Sequence, residues 1–262
     1  MTHDGAVRAA RYDGAPADEL RTRTGAPALH AYDRVTSTMD VAHALAAAGA
    51  PHGTLVLADR QTGGRGRAGR TWASGGGTGV WLTSVARVDD TAALEVLSLR
   101  VGIALADHLA PLADGPVTVK WPNDLLVAGR KLAGVLVEAR WRDGRPEWVA
   151  VGVGVNVRPP VGFAGAAALR DDVTRIEALV ATAAALRVAT AATGLLTPAE
   201  LAALDRRDAV RGRAVVAPVA GQAAGVTAHG TLRVVAAGGL VHELRQATVT
   251  YADDSAAVAL PG

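Results

Sequence analysis

Arginine and glycine alternate in one stretch of the chain, Gln61–Trp72, which reads QTGGRGRAGRTW. Glycine lets backbone N–H groups approach an anion closely, and the forked guanidinium group of arginine can hold a phosphate through two hydrogen bonds. The order of residues matches neither the P-loop, which needs Gly-Lys-Ser/Thr, nor the dinucleotide-binding fingerprint. The stretch predicts a loop that binds a triphosphate or a phosphate ester, with a solvated loop or an RNA-binding segment as alternatives.

Both lysines of the chain lie in a second polar segment, Lys120–Arg140. All other basic side chains except histidine are arginines, which indicates that Lys120 and Lys131 serve sites where a compact ammonium group is needed. Asn123 and Asp124 lie between them, after a rigid Trp-Pro pair that we expect to expose both. A purely structural role is also compatible with these residues, because an Asn-Asp pair is common in turns and a lysine at the start of a strand is usually solvated.

Glycine and valine alternate in a third segment, Gly152–Val157, which also contains Asn156. In a strand, this alternation would leave one face of the sheet without side chains, so that another group could pack flat against it. Taken alone, the pattern favours a helix that crosses closely over the sheet.

The rest of the sequence predicts the elements that hold these segments. Helix signals include caps at the start and glycine or proline at the end, and strand signals are short runs of alternating apolar residues. We expect helices from Ser37 to about Gly49 and over residues 91–109, 171–190 and 197–205. Strands are expected over residues 54–58, 79–85, 117–119, 125–127, 132–139 and 148–157, with a tight turn at residues 128–130.

Three parts are expected along the chain. Residues 1–30 show neither a helical nor a strand period, which predicts an N-terminal arm with little independent structure, too short for a DNA-binding helical domain. Residues 31–207 are expected to form the main α/β domain. Valine-rich runs broken by glycine predict a small antiparallel barrel over residues 208–262.

The composition is that of a globular protein, with 262 residues, of which 50% are hydrophobic and 20% charged. No apolar stretch reaches the length of a membrane span, and the first residues lack the apolar core of a secretory signal, so we expect a cytoplasmic protein. The absence of cysteine excludes disulfides and thiol nucleophiles. A net charge of only +2 and an aromatic content of 3% argue against a nucleic-acid-binding protein.

Together, the motifs GRGRAGR, KWPNDL, RKLAGVLVE and GVGVNV resemble those of the biotin–protein ligases, in order and spacing, from about Thr36 to Tyr251. The resemblance implies a biotin/lipoate ligase-like catalytic domain with a mixed sheet and a C-terminal SH3-like barrel. It implies an enzyme that activates biotin with ATP and Mg²⁺ to biotinyl-5′-AMP and releases pyrophosphate. The biotin then passes to a lysine of a biotin carboxyl carrier protein or of the corresponding domain of a biotin-dependent carboxylase.

The resemblance also implies which residues bind biotin. Three polar residues match those that hydrogen-bond the ureido ring, a loop closes over the ligand, and one lysine contacts the carboxylate. These residues are Ser37, Thr38, Gln61, Arg65, Gly66, Arg67 and Lys131. Met39 departs from the family pattern, since many members have Asn after the Ser-Thr pair.

A second set is implied to bind the adenylate and to perform the chemistry. Arg67 and Arg70 would contact phosphate, Trp72 would pack beside the adenine, and Asn156 would lie near it. Lys131 and Arg67 would act in activation. Asp124 would lie close to the amine of the incoming carrier lysine. No metal ligand is assigned to the protein, because Mg²⁺ is expected to arrive with ATP.

Two other functions compete with this interpretation. Lipoate or octanoate ligases and transferases share the implied fold and also acylate a carrier lysine. A small nucleic-acid-binding protein could use Arg65, Arg67 and Arg70 instead. We expect no contact with DNA or with a membrane. The strand at residues 79–85 could form an exposed sheet edge that pairs with another subunit or with the carrier, so a homodimer is a further expectation.

Overall fold

A computed structural model describes residues 6–160, 162–163, 165–245 and 247–252. Within these residues, the helices are α1 (Ala17–Thr24), α2 (Thr38–Ala47), α3 (Thr91–Leu109), α4 (Arg175–Ala191) and α5 (Pro198–Arg207). The strands are β1 (Val7–Arg8), β2 (Arg11–Tyr12), β3 (Ala15–Pro16), β4 (Leu29–Val35), β5 (Leu55–Gln61), β6 (Gly79–Ala86), β7 (Val117–Lys120), β8 (Asp124–Val127), β9 (Arg130–Arg142), β10 (Arg145–Asn156), β11 (Ala214–Ala217), β12 (Gly221–Val226), β13 (Leu232–Val235), β14 (Val241–Leu244) and β15 (Thr250–Tyr251). None of the helices in this part of the chain is both long and apolar enough to cross a membrane.

An eight-stranded sheet in the order β1-β4-β5-β6-β10-β9-β8-β7 forms the centre of the molecule. Strand β6 pairs with β5 on one side and with β10 on the other, so the exposed sheet edge expected at residues 79–85 is wrong. Strands β4 and β5 are parallel, and the other neighbours are antiparallel. A parallel pair needs a crossover connection, which α2 supplies between β4 and β5. The sheet is therefore mixed, as predicted, and the predicted turn at residues 128–130 joins β8 to β9 with both Ala128 and Gly129 at positive φ.

Helices cover the two faces of this sheet unequally. Helices α3 and α4 pack on one face, where Val151, Val153 and Val155 of β10 belong to the larger apolar core. Helix α2 packs on the opposite face. Because side chains alternate along a strand, Gly152 and Gly154 lie on the α2 face of the sheet. The sheet has no side chains at these two positions, so other groups can approach its backbone there. The Gly-Val alternation thus separates a packed face from a face with open space.

Capping residues fix the helix boundaries. The Asp90 carboxylate accepts hydrogen bonds from the backbone N–H groups of Ala92 and Ala93 and starts α3 where it was predicted. Helix α4 begins four residues later than the predicted start at residue 171, because Thr174 and Glu177 form a reciprocal capping box. Helix α5 has the predicted capping box and proline at its first turn.

The N-terminal arm has more structure than predicted. It contains α1, the β2–β3 hairpin and β1, which pairs with β4. These elements are held in place by contacts with the rest of the domain. Leu20 is fully buried, the Tyr12 hydroxyl donates to the Gly79 carbonyl at 3.1 Å, and Asp13 pairs with Arg175 at 2.8 Å. A polar eight-residue helix is marginal in isolation, so its sequence pattern is weak and its stability comes from tertiary packing.

The C-terminal strands form a second, five-stranded antiparallel sheet in the order β14-β13-β12-β11-β15. This sheet is consistent with an SH3-like domain. However, the expected closed barrel is absent from residues 208–245 and 247–252, because the two-residue strand β15 pairs only with β11 and leaves β14 as an open edge. The Trp121 indole N–H donates to the Gly230 carbonyl at 2.9 Å and ties this sheet to the first one. The division at residues 207 and 208 stays a prediction.

Candidate active site

A cavity of about 130 Å³ lies on the α2 face of the large sheet. Its walls come from the start of α2, the end of β5, the loop that follows β5, and strands β8, β9 and β10. With the exception of Asn156, every residue predicted for the site lines this cavity: Ser37, Thr38, Gln61, Arg65, Gly66, Arg67, Arg70, Trp72, Asp124 and Lys131. Predicted residues from three separate stretches of the sequence therefore meet at one place.

One end of the cavity is a network of neutral polar groups. Gln61 Oε1 accepts hydrogen bonds from the backbone N–H and the hydroxyl of Thr38, at 2.8 and 3.0 Å. Its Nε2 donates to the Ser74 hydroxyl at 2.8 Å, and the Thr83 hydroxyl donates to Thr38 at 2.8 Å. Ser37 caps α2 by accepting from the N–H of Met39. Hydroxyl groups can both donate and accept, so this end suits a ligand with N–H and C=O groups side by side.

The glycine–arginine loop, Gly63–Thr71, folds back on itself as a narrow hairpin. The Trp72 N–H donates to the Gly64 carbonyl at 2.9 Å, and the Gly66 N–H donates to the Arg70 carbonyl at 2.7 Å. A Cβ on Gly64 would collide with the Trp72 carbonyl and would lie 2.8 Å from Ser74 Oγ. Glycine is therefore required at this position by close backbone approach.

Cationic groups gather at the other end of the cavity. Lys131 Nζ lies 2.7 Å from Asp124 Oδ1 and 4.8 Å from the centre of the Trp72 ring. Arg67 Nη1 donates to the Asn123 side-chain oxygen at 3.4 Å. Burial lowers the pKa of Arg67, and the neighbouring charge of Arg70 lowers it further. A bound anion would offset both effects, so this end of the cavity favours a negatively charged group.

The Trp72 indole lies flat on two glycines of the sheet. A Cβ on Gly154 would lie 2.5 Å from Trp72 Cε2, and a Cβ on Gly134 would lie 2.8 Å from Cζ3 of the same ring. The indole Nε1 is buried and has no hydrogen-bond partner among the described residues. The glycines of β10 therefore permit two close contacts on this face. Met39 of α2 lies over Gly152, which is the close helix crossing that the sequence pattern favoured, and Trp72 lies over Gly154.

Asn156 lies behind the cavity wall. Its side-chain amide donates to the backbone carbonyls of Lys131 and Ala167, at 3.1 and 3.0 Å, and it is buried. In this position it holds the strand that carries Lys131. Its expected contact with adenine remains a prediction.

Several side chains around the cavity were not found from the sequence. Thr83 and Ser74 complete the polar network, and Glu138, which itself contacts His43, holds Arg65 from outside the cavity. Thr83 lies in a strand whose other residues are mainly apolar, which is a signal that could have indicated it. His43 and Glu138 are 95 positions apart, and no local pattern links them.

The described part of the chain contains no group of three or more His, Asp or Glu residues arranged to hold a metal ion. Asp124, the carboxylate at the cavity, is already paired with Lys131.

Residues 31–156 match the model of the Biotin/lipoate A/B protein ligase family. The matched segment comprises 126 of the 262 residues, a little under half of the chain. The match covers β4 to the end of β10 and so includes the whole cavity wall. The mixed α/β fold predicted from the sequence is thus confirmed.

Two curated relatives that match part of the chain are named as ligases. The chain is 39% identical over 139 residues to the bifunctional ligase/repressor BirA of Bacillus subtilis. It is 43% identical over 120 residues to the biotin–[acetyl-CoA-carboxylase] ligase of Mycobacterium tuberculosis. These alignments cover 53% and 44% of this chain, respectively, and 43% of each relative. The chain thus matches less than half the length of these two proteins.

Solved structures share the fold over most of the chain. A biotin protein ligase from Aquifex aeolicus in complex with biotin and ATP has a TM-score of 0.67 and 22% identity, covering 86% of this chain and 98% of that one. The enzyme from Leishmania major in complex with biotinyl-5-AMP has a TM-score of 0.56 and 25% identity, covering 83% and 98%. The chain therefore shares the fold of these structures over more than four-fifths of its length.

Proposed function

We propose that the chain is an ATP-dependent biotin–protein ligase, which forms biotinyl-5′-AMP with release of pyrophosphate and then transfers biotin to a lysine of a biotin carboxyl carrier protein or domain. The observation that carries the proposal is the cavity itself. It joins a neutral hydrogen-bonding end, at Thr38 and Gln61, to a cationic and aromatic end, at Lys131, Arg67 and Trp72. A biotinyl adenylate has the same order of groups: ureido ring, acyl phosphate and adenine.

The ureido ring would replace part of the existing polar network. Gln61 binds Thr38 through its oxygen and Ser74 through its nitrogen, so its amide is held in one orientation. The carbonyl and N–H groups of a ureido ring can form hydrogen bonds with the hydroxyl groups of Thr38 and Ser37, so that neither hydroxyl is left without a partner. The same site would bind the plain hydrocarbon chain of octanoate poorly, because its buried polar groups would gain no new partner.

Activation brings two anions together, and the cationic end offsets their repulsion. A carboxylate oxygen of biotin attacks the α-phosphorus of ATP, the bond to the bridging oxygen breaks, and pyrophosphate leaves. Lys131 is suited to contact both the carboxylate and the α-phosphate, while Arg67 and Arg70 balance the charge of the phosphate in the transition state. Mg²⁺ would enter with ATP and share the charge of its phosphates.

Trp72 provides an apolar platform at the end where the adenine would lie. Its ring is fixed against Gly134 and Gly154, and its Nε1 has no partner within the part of the chain that the structure describes. The cavity of about 130 Å³ is smaller than the roughly 300 Å³ or more of typical ligand sites, so the loop has to move to admit a full adenylate. Closure afterwards would keep water from the mixed anhydride.

Transfer requires an amine without its proton. Asp124 pairs with Lys131 at 2.7 Å, and in our proposal Lys131 turns to the acyl phosphate while Asp124 receives the ammonium group of the carrier lysine. Asp124 then accepts or orients the proton, the amine nitrogen bonds to the acyl carbon, and AMP leaves. We place this reaction in the cytoplasm. A homodimer and the lack of a DNA contact remain predictions.

The test compares three acids. Purified chain is incubated with Mg-ATP and with biotin, lipoate or octanoate, and pyrophosphate release is measured with and without a carrier domain. We expect release with biotin and mass-spectrometric modification of one carrier lysine. Release with lipoate or octanoate instead would favour the related activity of the same fold. Folded protein that neither binds biotin nor releases pyrophosphate would overturn the proposal.

Arg65 and Arg67 are both engaged within the protein, which favours a ligand site over a nucleic-acid surface.

A further inference from the structure

The first arginine of the glycine–arginine loop reaches outward to two carboxylates on different elements. Arg65 Nη1 donates to Asp40 Oδ1 at 2.5 Å, and Arg65 Nη2 donates to Glu138 Oε2 at 3.2 Å. Asp40 belongs to the first turn of α2, and Glu138 belongs to β9. One planar fork thus ties the loop to both sides of the cavity mouth, a geometry that the single ammonium group of lysine could not reproduce.

Glu138 is itself held from behind by a histidine. His43 Nε2 lies 3.0 Å from Glu138 Oε2, and His43 Nδ1 lies 2.9 Å from the indole Nε1 of Trp148. The indole can only donate, so His43 Nδ1 has to accept, and in a neutral imidazole the proton is then on Nε2. Nε2 therefore donates to Glu138. The hydrogen bond from Trp148 thus sets the tautomer of His43, and the Nε2–H group of this tautomer orients the carboxylate of Glu138.

This series of contacts begins in the rigid core of the protein and ends at the glycine–arginine loop. Trp148 is only 8% exposed and packs in the apolar cluster beneath α2. About a quarter of the His43 side chain and about a third of the Glu138 side chain are exposed. The order of contacts, from Trp148 through His43 and Glu138 to Arg65, leads from the fixed core to the loop that has to open and close. We call these four residues with Asp40 the latch.

We propose that Glu138, oriented by His43 and Trp148, is a positioning residue that holds Arg65 and keeps the glycine–arginine loop closed over the adenylate. This inference rests on the proposed function. It assigns to Arg65 the task of closing the loop, in contrast to Arg67 and Arg70, whose charges serve the phosphate. Loss of the latch should shorten the lifetime of the bound intermediate and should change the activation step much less.

The test measures dissociation of preformed biotinyl-5′-AMP by a chase with unlabelled ligand. Glu138→Gln and Arg65→Ala should each release the adenylate roughly three- to tenfold faster, since partly exposed charge pairs contribute modestly. The double variant should release the adenylate no faster than Arg65→Ala alone, because that substitution already removes the contact with Glu138. His43→Ala should follow them, and His43→Gln should restore part of the slow release, because the glutamine amide can donate to Glu138 in place of Nε2.

Glu147→Gln is the matched control, since Glu147 pairs with Arg142 at 3.0 Å near the other end of the same β9–β10 hairpin. It should leave adenylate release and the rate of pyrophosphate formation unchanged. Release at the wild-type rate from both Glu138→Gln and Arg65→Ala would overturn the latch, as would additive effects in the double variant. If Glu138→Gln fails to fold, Arg65→Lys tests the same contact. Wild-type protein that does not bind the adenylate would instead overturn the proposed function.

Discussion

Substitution of Gly154 by alanine tests the role of Trp72 at a single atom. The new Cβ would lie 2.5 Å from Trp72 Cε2 and 2.6 Å from Nε1, whereas carbon atoms pack at about 3.5–4.0 Å. Gly154 does not have a positive φ, so the backbone itself accepts alanine. The rigid ring has to move by about 1 Å or more, and overpacking of this kind costs about 1–3 kcal/mol.

We expect Gly154→Ala to fold and to bind biotinyl-5′-AMP roughly five- to 150-fold more weakly, which is the same free energy expressed as affinity. Biotin alone should be affected less, because the clash falls on the ring proposed to support adenine. Gly152→Ala is the control on the same face of the same strand. Its Cβ would meet the sulfur of Met39 at 2.7 Å, and this flexible side chain can yield.

Isothermal titration of both variants with biotin and with the adenylate provides the measurement, and thermal unfolding confirms that each variant is folded. The reasoning would be refuted if Gly154→Ala bound the adenylate as tightly as the wild type. Equal losses of biotin and adenylate affinity in both glycine variants would also refute it, because the effect would then not be specific to Trp72.

Three further variants test the cationic end of the cavity. Lys131→Arg should lower the rate of activation by roughly 10²-fold or more, since a planar fork cannot place one charge between carboxylate and phosphate. Lys120→Arg should have a small effect, because a guanidinium group can also lie over the Tyr251 ring. Equal small losses of activity for both variants in steady-state assays would contradict this. Asp124→Asn should slow transfer by about 10²-fold or more and let adenylate accumulate, and a single-turnover assay in which only activation is slow would exclude the role. Arg67→Ala should weaken retention of the adenylate more than binding of biotin, and hydrogen exchange over residues 64–72 should then show less protection by adenylate than in the wild type; the same protection in both would argue against a phosphate contact.

Local signals in the sequence predicted the long elements well. The bounds of α3 follow from its cap at Asp90 and its apolar period, and the β8–β9 hairpin follows from Ala128-Gly129. Strand β4 and helix α1 were missed because their order depends on docking against the sheet rather than on a strong period of their own. Strand β12 was missed because its sequence, GQAAGV, has few of the β-branched residues that mark a strand.

The same distinction applies to the site. Residues within the compact motifs, such as Lys131 and Trp72, could be predicted because their types and spacing are tied to the chemistry. The contacts that support them could not, because Gly154 and Trp72, or His43 and Glu138, come together only through the folding of distant strands. Sequence spacing carries no information about which pairs of this kind will meet.

The formation of biotinyl-5′-AMP in the absence of a carrier tests the central claim most directly. Stoichiometric chain is mixed with biotin and Mg-ATP, quenched at intervals, and analysed for the adenylate and for pyrophosphate. The account predicts a burst of enzyme-bound adenylate equal to the pyrophosphate released, followed by its disappearance as a carrier lysine becomes biotinylated. Pyrophosphate release that does not depend on biotin, or a carrier modified without any adenylate, would contradict it.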